Sequence, residues 1–183
     1  FGVYIGNMNS KFQLGWSNTF TYKDFSLYFL INGKIGGKVI SFTEAELDKL
    51  GVSQRTADAR LAAENNNDLI WNGKPAMYMP DGNLAPINAY YQGIGGDVNA
   101  TQYVYDATNF RLRELSLGYT FRNLLGASKN VSLSLIARNL FFIYKDAPVD
   151  PDISLSTQNG LGAFEIFNMP SARSFGISLK ANF

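Results

Sequence analysis

Hydrophobic and polar residues alternate along the last nine residues of the chain. Odd positions from Phe175 to Phe183 carry Phe, Ile, Leu, Ala and Phe, while even positions carry Gly, Ser, Lys and Asn. Because successive side chains of a β-strand point to opposite faces, this pattern predicts a strand with one apolar and one polar face. Taken alone, it fits both a membrane strand and a half-buried strand of a sandwich.

Four earlier segments repeat the alternation, so five strands are predicted. They cover about residues 11–22, 25–33, 110–121, 131–142 and 172–183. With their flanks these segments approach the roughly 9 to 11 residues that a tilted strand needs to cross a bilayer. The apolar parity slips by one residue between Leu112 and Leu115, which predicts a β-bulge near Arg113.

Short and long connections alternate between these strands. Lys23-Asp24 forms a two-residue link and residues 122–130 a short one, whereas residues 34–109 and 143–171 are long. Outer-membrane barrels have short periplasmic turns and long external loops. The alternation therefore predicts that the last strand runs inward and that the C-terminus is periplasmic.

Aromatic residues cluster at both ends of the predicted strands, as in the interfacial girdles of membrane barrels. The inferred periplasmic band contains Phe20, Tyr22, Phe25, Tyr119, Phe121 and Phe183, and the external band contains Phe12, Phe110, Phe141, Phe142 and Phe175. Packing of large rings in an ordinary core is the alternative explanation.

Composition removes several other classes of protein. The 183 residues include no Cys and no His, and 16 Lys and Arg face 15 Asp and Glu. Disulfides, thiol chemistry and imidazole catalysis are excluded, and no basic field favours nucleic acid. Since no Gly-x-Ser-x-Gly elbow occurs either, we expect no enzyme, no catalytic residue, no cofactor and no metal site. Asp146, Asp150 and Asp152 lack the spacing of an EF-hand and are expected to be solvated loop charges.

Five strands cannot close into a transmembrane barrel. An open sheet edge in hydrocarbon would leave N–H and C=O groups unpaired, each at a cost of several kcal/mol. We therefore expect this chain to be one piece of a larger barrel.

Several motifs resemble those of SusC/RagA-like TonB-dependent outer-membrane transporters, in the order found in that family. They are residues 5–12 (IGNMNSKF), 50–60 (LGVSQRTADAR), 103–121 (YVYDATNFRLRELSLGYTF), 137–141 (ARNLF), 150–152 (DPD) and 169–175 (MPSARSF).

The resemblance implies an all-β membrane protein. This chain would be the C-terminal five or so antiparallel strands of a large barrel of about 22 strands, with short helices in its long extracellular loops. The plug domain would be absent from it. The last residue, Phe183, would belong to the signal that the barrel-assembly machinery recognises.

The function implied by the resemblance is active import across the outer membrane. TonB would supply the energy through the absent N-terminal part, a SusD-like surface lipoprotein would cap the barrel, and the cargo would be oligosaccharides or peptides. The alternative is an outer-membrane barrel that does not transport and has an adhesive or structural role.

Two helices and two turns are predicted in the long loop of residues 34–109. Residues 43–46 (Thr-Glu-Ala-Glu) form a capping box, which predicts a helix from Thr43 to Leu50 that ends at Gly51. A second helix begins after Ser53 and covers about residues 54–64. Its packed face is expected to contain Ala57, Leu61 and Ala62, and the turns to lie at residues 71–75 and 80–83.

Aromatic side chains in this external loop are candidate ligand contacts. A ring that stacks on a sugar combines apolar contact with a group for hydrogen bonding. Packing within the loop is the alternative for each of them. The candidates are Trp71, Tyr78, Tyr90, Tyr91, Tyr103 and Tyr105.

Overall fold

The computed structural model describes residues 4–79, 81–96, 100–123, 130–153, 155 and 161–182, excluding the side chains of residues 67, 100 and 182. Within these residues the elements are β1 (Phe12–Tyr22), β2 (Phe25–Ile35), β3 (Lys38–Ser41), α1 (Phe42–Leu50), α2 (Gln54–Glu64), β4 (Ile70–Trp71), β5 (Lys74–Tyr78), β6 (Leu84–Pro86), α3 (Ile87–Gly96), β7 (Val104–Asp106), β8 (Asn109–Phe121), β9 (Asn130–Lys145), β10 (Phe164–Glu165) and β11 (Ser174–Asn182), with 3-10 turns at Asn67–Leu69 and Ala100–Tyr103.

The chain divides into two compact units. The sheet unit takes its described residues from Gly6–Lys38, Asp106–Ile153 and Met169–Phe183, and the loop unit from Phe1–Ile5, Val39–Tyr105 and Ser154–Asn168. None of the described helices is long and apolar enough to cross a membrane.

The sheet unit contains a five-stranded antiparallel sheet in the order β1-β2-β8-β9-β11. This confirms the expected antiparallel sheet, which is open within the described residues and has β1 and β11 at its edges. β9 extends to Lys145, beyond the expected residue 142, because Tyr144 and Lys145 still pair with Phe110 and Asn109 of β8.

The predicted hairpin turn and β-bulge are both present. Lys23 adopts a left-handed conformation with φ 54° and joins Tyr22 to its partner Phe25. In β8, the register shifts between Leu112 and Glu114 against β9, and β2 shows the matching shift, so Arg113 is left out of the ladder. This extra residue keeps Leu112 and Leu115 on the same apolar face, although they are three positions apart in the sequence.

Helix α1 begins one residue earlier than predicted, and its cap is different. Ser41 is the N-cap and accepts a hydrogen bond from the Glu44 N–H. The expected capping box is therefore wrong, because the Thr43 hydroxyl instead donates to the Glu165 carboxylate at 2.7 Å and Glu46 pairs with Lys49. The predicted end is confirmed at Gly51, which adopts φ 72°.

Helix α2 covers the predicted residues, with Ser53 as its N-cap, but buries a different face. Thr56 and Ala63 are buried, Ala57 is half-buried, and Leu61 and Ala62 are exposed. The expected packed face is wrong because Ala63 joins Ile87 and Tyr91 of α3 in the core of the loop unit, and no sequence pattern predicts α3.

Helix α3 approaches α1 closely through a glycine. A Cβ at Gly95 would lie 2.5 Å from the Ala45 carbonyl oxygen, so no larger residue fits without movement of the backbone. Three glycines in ten residues make this segment a weak helix former by sequence. Its helical state therefore depends on packing of Ile87, Tyr91 and Gly95.

Short strands complete the loop unit. β4 and β5 form a hairpin through Asn72 and Gly73, with φ 50° and 72°, as the Asn-Gly pair predicts. β5 and β6 form another, with the second predicted turn at Asp81-Gly82-Asn83, while its first residue, Pro80, lies outside the described residues. β10 runs parallel to β3.

Candidate functional site

The five paired strands of the sheet unit form two chemically different faces. Most ladder pairs join residues of the same character, so the alternation within each strand becomes a separation across the sheet. On the apolar face, rows of large side chains cross the sheet. Two of them are Tyr22, Phe25, Tyr119, Leu133 and Leu179, and Phe20, Leu27, Leu117, Leu135 and Ile177.

Large apolar side chains of this face are exposed rather than covered. Ile177, for example, has a relative accessibility of 74%. A groove of about 660 Å³ runs over β8, β9 and β11, and Leu115, Leu135 and Phe175 line it. Contiguous exposed apolar area of this kind marks a surface made for a partner or for lipid.

Small and hydroxylated residues line the opposite, polar face. One row contains Thr21, Ser26, Gly118, Ser134 and Ser178. At Gly118 a Cβ would lie 2.5 Å from Ser26 Oγ and 2.9 Å from Ser134 Oγ, so a larger residue there would require both hydroxyl groups to move. Glu114 and Arg138 pair on the same face at 2.9 Å.

Ion pairs concentrate where β8 and β9 meet the segment after β9. Arg111 pairs with Asp150, both largely buried, and its guanidinium lies 4.0 Å over the Phe142 ring. Burial by itself would raise the pKa of Asp150, but hydrogen bonds from Ser171, Arg111 and the Asp152 N–H outweigh it and hold that pKa below its ordinary value. The expectation of solvated loop charges is therefore wrong for Asp150.

The two neighbouring aspartates are also engaged. Asp152 pairs with Lys34 at 3.7 Å, and Asp146 Oδ2 accepts a hydrogen bond from the Asp106 N–H. Within the described residues, no three acidic side chains gather closely enough to hold a metal ion.

Candidate aromatic residues of the loop unit are placed very differently. Tyr103 is 1% exposed, and its hydroxyl donates to Asp48 Oδ2 at 3.0 Å. Burial, together with the charge of Asp48 and this hydrogen bond, raises the pKa of Tyr103 well above its ordinary value. This residue packs inside the loop unit.

Arg55 connects the tyrosines to the acidic residues of α1. Its Nη2 lies 3.5 Å from Asp48 Oδ2 and 3.5 Å from Glu44 Oε2, and it donates to the Tyr105 hydroxyl at 3.3 Å. Burial opposes its charge, but Asp48 and the tyrosines leave the pKa of Arg55 raised. The group acts as a polar core that ties α1, α2 and β7 together.

The other four aromatic candidates lie on α3 and on the hairpins. Tyr91 is buried and Tyr90 half-buried, with ring centroids 5.1 Å apart in an edge arrangement. Trp71 and Tyr78 are exposed, at 43% and 60%. Of the six candidates, these two present the most ring surface to solvent.

Sequence reasoning missed the buried environment of three carboxylates, those of Asp48, Asp150 and Glu165. Glu165 accepts hydrogen bonds from Ser41, Thr43 and the Asn168 N–H, and so joins β10 to the start of α1. Their partners are distant in sequence, so local spacing carries no signal for them. The predicted assembly signal at Phe183 lies outside the described residues.

An antiparallel sheet with one apolar and one polar face is the class of structure that these strands define. No protein-family model matches the chain. The chain is similar to TonB-dependent receptor P3 of Formosa agariphila, with 24% identity over 187 aligned residues that cover 98% of this chain and 17% of the receptor. It thus spans about one sixth of that relative's length.

Proposed function

We propose that this chain forms part of the wall of a TonB-dependent importer in the outer membrane, of the SusC/RagA-like kind. The observation that carries the proposal is the in-register separation of five antiparallel strands into an apolar and a polar face. Strands of 9 to 16 residues are long enough to cross a bilayer. The apolar face would contact lipid and the polar face the lumen.

The edges of the sheet support a role within a larger barrel. β1 and β11 each have one partner in the described residues, and in hydrocarbon their free backbone groups must pair with further strands. In the proposed protein the other strands of the barrel, about 22 in all, and the plug lie outside this chain. The short turns and the C-terminus face the periplasm.

Transport explains the similarity to a TonB-dependent receptor better than catalysis or adhesion does. TonB would act on the plug, and a SusD-like lipoprotein would deliver oligosaccharides or peptides to the external loops. Ligand binding would shift the plug between closed and open states through its different affinity for each. No cofactor is needed for this cycle.

Two of the aromatic candidates are the best placed to contact such a ligand. Trp71 and Tyr78 are exposed on the hairpins of the loop unit, whereas Tyr91 and Tyr103 are buried in it. Tyr90 and Tyr105 have intermediate exposure.

Uptake by cells tests the proposed transport directly. Cells with and without the full-length protein are supplied with labelled oligosaccharides and peptides, and a strain that lacks TonB is the control. We expect uptake of at least one class of ligand that requires both the protein and TonB. Equal uptake by all three strains, with normal surface expression, would contradict transport and favour an adhesive or structural barrel.

A further inference from the structure

A small polar cavity of about 230 Å³ lies on the polar face of the sheet unit. The side chains that supply its polar groups are Gln13, Asn32, Lys34, Asn109, Arg113 and Asp152. Gln13, Lys34 and Asn109 form one row across β1, β2 and β8, and Asn32 lies in the next row. The cavity therefore belongs to the strand framework and to the β-bulge of β8.

Arg113 reaches this cavity because it is the extra residue of the bulge. Its Nη1 donates to the neutral Asn139 Oδ1 at 3.3 Å. Among the described residues, no carboxylate lies within 4.0 Å of its guanidinium, in contrast to Arg111, Arg122 and Arg138. The planar donor fork of an arginine matches the two oxygens of a carboxylate.

Lys34 provides a second positive charge at the same cavity. Its Nζ lies 3.7 Å from Asp152 Oδ1, beyond the range of a good hydrogen bond. The same oxygen accepts a hydrogen bond from Asn109 Nδ2 at 3.3 Å. The lining thus has two cations and one carboxylate, and the carboxylate is already engaged.

Amide groups complete the set of donors and acceptors. Within the described part of the chain, the Asn32 side chain makes no hydrogen bond, and its partner in β1 is Gly15, which has no side chain to cover it. Gln13 Nε2 donates to Ser10 Oγ, which leaves its carbonyl oxygen as an acceptor. Such amides suit the hydroxyl or amide groups of a ligand.

We propose that this cavity binds a carboxylate group of the imported ligand, a proposal that rests on the proposed function. Arg113 holds the carboxylate through its fork, Lys34 adds a point charge, and Asn32 and Gln13 bond the adjoining polar groups. A volume of about 230 Å³ is below that of a complete small-molecule site, so the cavity is a subsite for the charged end of a larger ligand. The carboxylate belongs to a uronic acid or to the C-terminus of a peptide.

Binding to the purified full-length protein in detergent tests the subsite and separates the two sources of the carboxylate. The probes are an oligogalacturonate and its methyl ester, and a pentapeptide and its C-terminal amide. We expect one acid to bind at least roughly tenfold more tightly than its neutral counterpart, the scale of one charged hydrogen bond. The acid that does so identifies the source.

Variants then assign the effect to the cavity. Arg113→Gln and Lys34→Gln should each abolish most of the preference for the acid, and Arg113→Lys should restore part of it. Lys180→Gln is the matched control, because Lys180 lies on the same polar face in the row of Ser132 and Thr120, far along β8 from Asn109. It removes the same charge and should leave the preference intact.

Three outcomes would overturn the proposal: no binding of any probe, equal binding of acids and neutral counterparts, or an equal loss of preference in Lys180→Gln. Migration of each variant as a folded barrel on a gel shows that a loss is not due to misfolding. Because binding is measured without TonB, acid-selective binding by a protein that fails the uptake test would support the subsite and contradict the import role. Import by a protein that binds acids and their neutral counterparts equally would support the import role and contradict the subsite.

Discussion

Several charged side chains in the sheet unit form ion pairs, and burial decides how much each pair contributes to stability. Arg111 and Asp150 have side-chain accessibilities of 3% and 6%, whereas Arg122 and Asp24 form an exposed pair. Removing one partner of a buried pair leaves an uncompensated charge and costs about 3–5 kcal/mol, while an exposed pair contributes about 0–1 kcal/mol. The segment after β9 therefore depends on Asp150.

Asp150→Asn should release the segment of residues 146–153 at neutral pH. Since the folded-state pKa of Asp150 is lowered, its stabilising effect is complete above the ordinary pKa of aspartate and is lost as the pH falls through the lower folded value. In the unsubstituted protein the same release should thus occur only in acid. Hydrogen exchange of residues 146–153 across a pH series measures both effects.

Asp24→Asn is the control for this prediction, since it removes an aspartate that also pairs with an arginine but is half-buried and has an exposed partner. It should leave the exchange of residues 146–153 unchanged. If Asp150→Asn exchanged like the unsubstituted protein at neutral pH, the buried pair would not hold this segment.

At the residue scale, the sequence gives the chemical type of each candidate residue, but it does not predict whether that residue is buried or exposed. All six aromatic candidates lie in the loop unit, yet Tyr103 is buried against Asp48 and Trp71 is exposed. What separates them is tertiary packing: Tyr103 contacts Asp48, which lies 55 positions earlier in the chain. No local pattern contains that information.

At the element scale, the start of α1 shows how a cap is chosen. Two hydroxyl residues, Ser41 and Thr43, precede or open the helix, and both contact the buried Glu165. Ser41 has extended backbone geometry and accepts from the Glu44 N–H, whereas Thr43 already lies inside the helix. The tertiary contact with Glu165 thus overrides the local capping-box pattern.

Ser41→Ala should destabilise α1 by about 1 kcal/mol through loss of the N-cap, with a further loss from its bond to Glu165. Glu46→Ala should have almost no effect, because Glu46 forms only an exposed pair with Lys49. Hydrogen exchange of the amides of residues 42–50 in the full-length protein measures the difference. A larger effect for Glu46→Ala would show that the capping box forms instead.

Elements that have a regular alternation, a capping residue or a turn pair are predictable from the sequence, whereas α3 is not. The alternation predicts all five strands of the large sheet, and the parity slip predicts the bulge at Arg113. Helix α3 escapes prediction because its glycines lower its intrinsic propensity while Gly95 permits the close approach to α1. Its stability is a property of the contact between two helices.

At the scale of the whole molecule, neighbouring residues of a strand lie on opposite faces of the sheet, one apolar and one polar. Ile177 lies in an apolar row with Leu135, and Ser178 lies in a polar row with Ser134. If the apolar face contacts lipid, a charged side chain at position 177 would lie in hydrocarbon, whereas one at position 178 would lie in water. Adjacent substitutions therefore form a matched pair.

Ile177→Arg should impair assembly in the outer membrane, since a lipid-facing Arg near the midplane costs roughly 2 to 4 kcal/mol. Ser178→Arg should assemble almost normally, because it faces the lumen in the proposed barrel. The measurement is the fraction of membrane protein that migrates as a folded, heat-modifiable barrel. Equal assembly of the two variants would show that the apolar face does not contact lipid.

The bulge at Arg113 determines where the length of β8 can change. Deleting the codon of Ser116, which lies within the ladder, would place Leu112 on the side of the hydroxyl groups and turn Arg111 toward the apolar rows. Deleting the codon of Arg113, which stands outside the ladder, would leave Leu112 and Glu114 on their present faces. Over evolutionary time, β8 should therefore tolerate the loss of a residue at the bulge far more readily than the loss of one within the ladder.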